Sequence, residues 1–438
     1  MNPEVTVIGG GLAGSEAAWQ AAEAGATVRL CEMRPLVKTA VHQTSNFAEL
    51  VCSNSLKSNL LTNAAGLLKE EMRRLGSLII SSGDTANVPA GDALAVDRNI
   101  FAAEITARLE SHPNIEIVRG EVEGIDESRV HIIATGPLTS DALAADVARL
   151  TGTSQLSFFD AVAPTLDAST INRDIVFAAS RYEQGDDAYL NCPFTRDEYQ
   201  AFYDALIKAE LAPLHEHEEN VPYFEGCLPI EVLASRGPKT LSFGPMKPVG
   251  LTDPRTGRRP WACLQLRQEN RAATMYSMVG FQTRMKWGEQ KRIFQMIPGL
   301  ENAEFIRYGV MHRNTYIQSP QLLNDTLQMR AYPNVFFAGQ ITGVEGYVES
   351  AAMGILAGRN AARLLRGEPL LTLPNTTMLG ALADYVAHYE GKSFQPMNAN
   401  WSLVPPLPER IRDKKEKNRM LAEKALEALS GITGVGLV

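Results

Sequence analysis

The opening stretch PEVTVIGGGLAGSEAAWQAAEAGATVRLCEMRP constrains the fold more than any other part of the chain. It scans as strand, glycine turn, helix, strand. Val5, Val7 and Ile8 form a short apolar strand, and Gly9, Gly11 and Gly14 take the GxGxxG positions, with Gly10, Leu12 and Ala13 between them. An Ala-rich helix over residues 15–24 leads to a second strand over 28–31 that ends at Glu32. The acid follows the first glycine by roughly the 20 residues of a dinucleotide-binding fingerprint. In that geometry the first glycine permits the tight turn and the second lets a pyrophosphate approach the backbone. The third lets helix and strand pack, and the helix N-terminus faces the phosphates. Glu32 is placed to accept from an adenosine ribose.

Two later segments indicate which dinucleotide. VHIIATGP (130–137) is a further apolar strand ending in Ala-Thr-Gly. NVFFAGQITGVEGYVESAAMGILAGRNAARLL (334–365) is a strand, a loop carrying Gly339, Gln340, Gly343 and Gly346, and a long helix opened by Tyr347. This resembles the closing motif of two-dinucleotide-fold flavoproteins, which implies FAD held between the two ends of the chain. Residues 191–332 are rich in Pro, Arg and aromatics with strand-like runs such as WACLQLRQE. The expectation is an α/β protein: a discontinuous Rossmann-like FAD-binding domain from 1–190 and 333–438, interrupted by an inserted α+β domain. The C-terminal part of the second segment is a tail that becomes helical near its end.

Composition excludes some classes. The chain has 438 residues, 45% of them hydrophobic and 21% charged, as in ordinary globular proteins. No apolar run is long enough to span a membrane, and the N-terminus enters a strand without the basic region and apolar core of a secretory signal. A cytoplasmic chain is expected. Five cysteines without a CxxC pair disfavour a disulfide framework and a zinc ribbon alike. The HEHEEN stretch, with His215 and His217, does not have metal-site spacing, so no metal is expected. Nothing in the sequence fixes an oligomeric state, and a monomer is compatible with it.

Net charge is −8, yet residues 236–292 hold 12 Lys or Arg against three acids. Arg255, Arg258, Arg259, Arg267, Arg271 and Arg284 are among the cations. Tyr276, Phe281 and Trp287 are interleaved, so the segment suits either a phosphate backbone with splayed bases or a salt-bridged face.

The thiols divide by context. Cys227, in YFEGCLPIEVLASRG, stands between Gly226 and Leu228-Pro229 with Glu225, Glu231 and Arg236 near in sequence, which suits a nucleophile better than a core residue. Cys52, in FAELVCSNSLKSN, opens a polar run after the second strand and is either a reactive thiol near the flavin or a packing group. Cys31 and Cys263 lie in strands and read as core; Cys192, in LNCPFT, reads either way. Lys247 in GPMKPVGL, with His312 and Arg313 in GVMHRNTYIQSP, are candidate holders of carboxylates or phosphates.

Taken in order, GGGLAGSEAA, CSNSLKSN, NCPFTRDEY, FEGCLPIE, GPMKPVGL, GVMHRNTYIQSP and GQITGVEGYVESAAMG resemble the folate- and FAD-dependent tRNA (uracil-5-)-methyltransferase family. The resemblance runs from about residue 3 to beyond 400, and the two cysteine motifs are its specific part. It implies methylation of C5 of the T-loop uridine of tRNA with 5,10-methylenetetrahydrofolate as carbon donor. Reduced FAD, regenerated by NADPH or NADH, would carry the methylene and supply the reductant. By the same resemblance Cys227 is the nucleophile that adds to C6, Cys52 is the partner thiol that takes the C5 proton, and Tyr347 stacks beside the flavin. A uridine of large-subunit ribosomal RNA as target, and a flavin-dependent thiol oxidoreductase, are the alternatives. The wobble-uridine modification flavoproteins share the opening and closing motifs, and they are expected to differ by a long C-terminal helical domain and by lacking FEGCLPIE.

Overall fold

The computed structural model describes residues 4–37, 39, 41–152, 156–181, 187–213, 223, 228–391, 393–409 and 411–433, with backbone alone at 158–161, 312–313 and 433. β1 (Glu4–Ile8), α1 (Leu12–Glu23) and β2 (Thr27–Glu32) form where the opening motif predicts them. The parallel sheet has the order Val335–Phe337, Val130–Ile133, β1, β2, Ile115–Arg119. Val5, Val7, Val28, Leu30 and Ile132 are fully buried in it, as expected of a parallel sheet covered on both faces. A strand from residue 335 thus completes a sheet begun at residue 4. The two ends of the chain build one Rossmann-like unit.

The closing helix, Tyr347–Leu365, packs against α1 at backbone distance. A Cβ on Gly354 would sit 2.3 Å from the Ala13 carbonyl oxygen, and one on Gly358 would sit 2.3 Å from that of Ala17. Only a glycine pair one turn apart against alanines allows so close a crossing. This contact sets the N-terminus of the closing helix beside the dinucleotide loop.

The inserted unit is built on an antiparallel sheet ordered Phe177–Ala178, Tyr189–Phe194, Ala262–Gln268, Met275–Met278, Thr165–Asp167, Phe305–Arg307. Two of these strands precede residue 191, the expected start of the insert. Strands of two or three residues carry no readable alternation, so the sequence does not separate them from the preceding segment. Phe194, Phe202, Phe281 and Phe294 form the aromatic centre of its core, with successive ring centroids 5.5, 6.2 and 5.7 Å apart. Phe281 is therefore core, and Tyr276 is buried too, so neither is available to stack on a base. Trp287 does remain exposed. A third, smaller antiparallel sheet, Ser55–Ser58, Ala93–Val96, Asn87–Val88, carries the run that follows Cys52.

Candidate cofactor cleft and cysteine site

β1, Val130–Ile133 and Val335–Phe337 all point their C-terminal ends at one open cleft of about 1100 Å³, the solvent at its mouth included. Ligands of open α/β sheets bind at that edge. Gly9, Gly10, Gly11, Leu12 and Ala13 form one wall, Glu32 to Arg34 one end, and Gln340, Tyr347 and Val51 the other. The glycines act as their positions require. Gly9 has φ +104, a Cβ on Gly14 would fall 1.7 Å from the Gly9 carbonyl oxygen, and a Cβ on Gly11 would meet nothing within 4 Å. The space over Gly11 is where a pyrophosphate fits. Gly11 caps α1 without a side-chain hydrogen bond, and the first turn carries no acid, so the helix N-terminus offers its amides to an anion.

Glu32 is buried and accepts from the Gly10 amide at 2.8 Å and from the Arg34 amide and Nε at 3.0 and 2.8 Å. Burial works to raise its carboxyl, but the Arg34 guanidinium and these amides together hold it below the ordinary carboxylate value. It stays ionised and keeps lone pairs for a ribose hydroxyl at the cleft wall. At the opposite end, Gly339, Gly343 and Gly346 have φ of +82, +88 and +119 and lead the chain into the closing helix. Gln340 donates to Glu345 at 2.6 Å within this loop. Both ends of the cleft, its glycine floor and its uncapped helix fit FAD.

Cys52 stands at the Tyr347 end. Its backbone amide donates to the Tyr347 hydroxyl at 2.7 Å. Its carbonyl accepts from Arg98 Nη2 at 2.9 Å and Arg307 Nη2 at 3.3 Å, while Arg98 Nη1 and Arg307 Nη1 hold the carbonyls of Leu50 and Val51 at 2.7 and 3.1 Å. Arg267 holds the next two side chains, Ser53 Oγ at 2.6 Å and Asn54 Oδ1 at 2.8 Å. Glu269, itself buried, pairs with Arg98 at 2.6 Å. Three guanidiniums against one carboxylate leave this loop in a positive environment, and the charge of a Cys52 thiolate acts favourably on all three.

The other described thiols are different. Cys31, Cys192 and Cys263 are all buried. Burial pushes Cys31 up to about 11 and Cys263 up to about 12, and raises Cys192 well above the ordinary thiol value. Cys192 is thereby a core residue. Among the described cysteines Cys52 alone is partly exposed.

Cys227, His215 and His217 lie outside the described residues, as do the side chains of His312 and Arg313. The segment after Cys227 is firmly placed: the Ile230 amide donates to Gln282 at 2.7 Å, and Glu231 accepts from Thr283 Oγ1 at 2.9 Å and the Arg284 amide at 2.8 Å. Sequence reasoning did not find the arginine cluster, and it counted Arg267 with the basic surface. Arg267 instead turns inward to the Cys52 loop. The one available signal was its place in an apolar alternating strand, where a charged residue needs a buried partner.

The family model described as Glucose inhibited division protein A matches residues 4–369. A protein of Enterococcus faecalis named Methylenetetrahydrofolate--tRNA-(uracil-5-)-methyltransferase TrmFO is 60% identical over 427 residues, 98% of either chain. The chain belongs to the TrmFO family. Proteins of the same name from Brevibacillus brevis and Pelotomaculum thermopropionicum are 59% and 60% identical over 98% and 97% of this chain, and of theirs. Two crystal structures of Aquifex aeolicus GidA, each at 18% identity and TM-score 0.69, match 97% and 98% of this chain and 74% and 76% of theirs. They share its fold. No helix among the described residues is long and apolar enough to cross a membrane, and no cluster of His, Cys, Asp or Glu among them suits a metal ion.

Proposed function

We propose that the chain methylates C5 of the T-loop uridine of tRNA, with 5,10-methylenetetrahydrofolate as carbon donor and NADPH or NADH as the source of electrons, in the cytoplasm. The observation that carries this reading is the hydrogen bond that ties the backbone of Cys52, the one partly exposed thiol among the described cysteines, to Tyr347 on the wall of a cleft that fits FAD. FAD bound there supplies the carrier for the one-carbon unit and the reducing equivalents that complete a methyl group. Gly9 to Gly14 and the α1 N-terminus hold its pyrophosphate, Glu32 its ribose, and Gly339 to Tyr347 its ring end.

C5 of uracil is a poor nucleophile until a thiolate adds at C6 and places an enolate across C5. Cys227 performs that addition. Once C5 has gained its carbon, its proton must leave to a base. Cys52 is that base, and the arginines that hold the carbonyls of Leu50, Val51 and Cys52 fix the backbone that carries it. The unit formed by 191–332 is the RNA side, with the target base splayed from its loop to reach the cysteines.

The test is transfer of radiolabel from the methylene carbon of the folate into an unmodified tRNA transcript, with NADPH, by wild type, Cys227→Ala and Cys52→Ala. Label on the T-loop uridine that disappears in both variants, with FAD retained, is the expected result. Absence of label from flavin-loaded wild type would overturn the reading.

A further inference from the structure

We infer that the surface turn after the helix Ile230–Ser235 is an RNA-docking element, in which Phe243 stacks on an unpaired base while Arg236, Lys239, Arg255, Arg258 and Arg259 hold the flanking phosphates. The inference rests on the RNA-modifying reading above and deepens it.

Residues 235–261 contain six Lys or Arg and one acid, Asp253, in a chain of net charge −8. That acid does not face solvent: it is 4% exposed, and it accepts from the Arg255 amide at 2.9 Å and from Arg255 Nη2 at 2.8 Å. All five named cations are exposed. Glu198 acts on Arg255 from a neighbouring helix, and the other four cations still give this stretch of an acidic protein a positive balance that draws a polyanion.

Phe243 is 81% exposed, more than the other outward-facing large apolar side chains among the described residues. It is not a loose end of the core. Leu241 and Met246 on either side are fully buried, and the turn is closed by the Phe243 amide on Lys239 at 3.1 Å and the Met246 amide on Leu241 at 2.9 Å. The ring is therefore held out on a preformed backbone. Trp261 stands 46% exposed nearby in sequence, with Arg196 5.4 Å from its ring centroid. Aromatic rings interleaved with cations are what splayed RNA bases and their phosphates require. The turn also follows Cys227 directly through the helix Ile230–Ser235. A base stacked on Phe243 anchors the strand on the segment that carries the proposed nucleophile.

The experiment is equilibrium binding of an unmodified tRNA transcript to the FAD-loaded protein across a salt series, in wild type, Phe243→Ala, Phe243→Trp and the double variant Arg258→Ser/Arg259→Ser. Phe243→Ala is expected to weaken binding about tenfold or more at unchanged salt slope, with Phe243→Trp close to wild type. The arginine pair is expected to lower the salt slope by about one per charge removed. Phe243→Ala binding as wild type does would overturn the inference while leaving the proposed function standing. So would a raised KM for methylenetetrahydrofolate at unaltered RNA affinity, which assigns the ring to folate. Failure of wild type to bind tRNA at all would instead overturn the function on which the inference rests.

Discussion

The backbone amide of Cys52 and the hydroxyl of Tyr347, 295 residues apart in sequence, meet in a hydrogen bond of 2.7 Å. This bond ties the cysteine loop to the first residue of the closing helix. Tyr347→Phe removes the acceptor and keeps the ring. Flavin content is expected to stay near wild type while the methylation rate falls about tenfold, on the order of 1.4 kcal/mol for a partly buried amide left without its partner. Flavin absorbance and turnover on the same preparation check this.

The arginine cluster predicts a separation of stability from catalysis. Arg98→Met removes the ion-pair partner of Glu269, which is 3% exposed and keeps Arg267 and Ser277 near it, and is expected to cost about 3 kcal/mol in urea unfolding. Arg307→Lys keeps the charge but loses the fork that spans the carbonyls of Val51 and Cys52. For Arg307→Lys a fall in kcat with little change in unfolding midpoint is expected.

Thiol chemistry gives a direct reading of exposure. In Cys227→Ala, brief alkylation of the native protein is expected to label Cys52 first, with Cys31, Cys192 and Cys263 reacting only after unfolding, because burial disfavours their thiolates. Peptide mass spectrometry reports the order. Early labelling of Cys192 or Cys263 would contradict their placement in the core.

A pH effect on stability follows from Glu71. It is buried and caps the helix Met378–His388 by accepting from the Met378 and Leu379 amides at 2.7 and 2.9 Å. Burial pushes its carboxyl up to about 7 from 4.5, against the pull of those amides. Between those values the folded protein holds a proton that the unfolded chain has released. The contribution of Glu71 is thus complete below the lower value and lost as pH rises through the upper one. Urea midpoints are expected to fall between about pH 4.5 and about pH 7, and to fall less in Glu71→Gln.

The helix crossing offers a test of architecture. Gly354→Val drives a branched side chain into the Ala13 carbonyl and parts α1 from the closing helix. A loss of at least about 1–3 kcal/mol and a purified protein short of flavin are expected, since the same crossing sets both walls of the cleft. Thermal unfolding and flavin stoichiometry measure the two effects.

The parts of this protein whose physics is local are legible in the order of its residues. A tight turn at Gly9, an open approach over Gly11, an acid ending β2 and a glycine loop before Tyr347 are backbone requirements that few residue types satisfy, so they could be read before any contact was known. The family resemblance was legible for the same reason, because it rests on short motifs. Which side chains lose water is set by the packing of the folded chain. It sends Tyr276 and Phe281 into a core, leaves Phe243 in solvent, buries Cys192 and draws Arg98, Arg267, Glu269 and Arg307 from three separate segments onto the Cys52 loop. No periodicity announces such convergence. A buried charge is stable only where its partner arrives from elsewhere in the chain, and that pairing is set by packing between elements rather than by the order of residues within one.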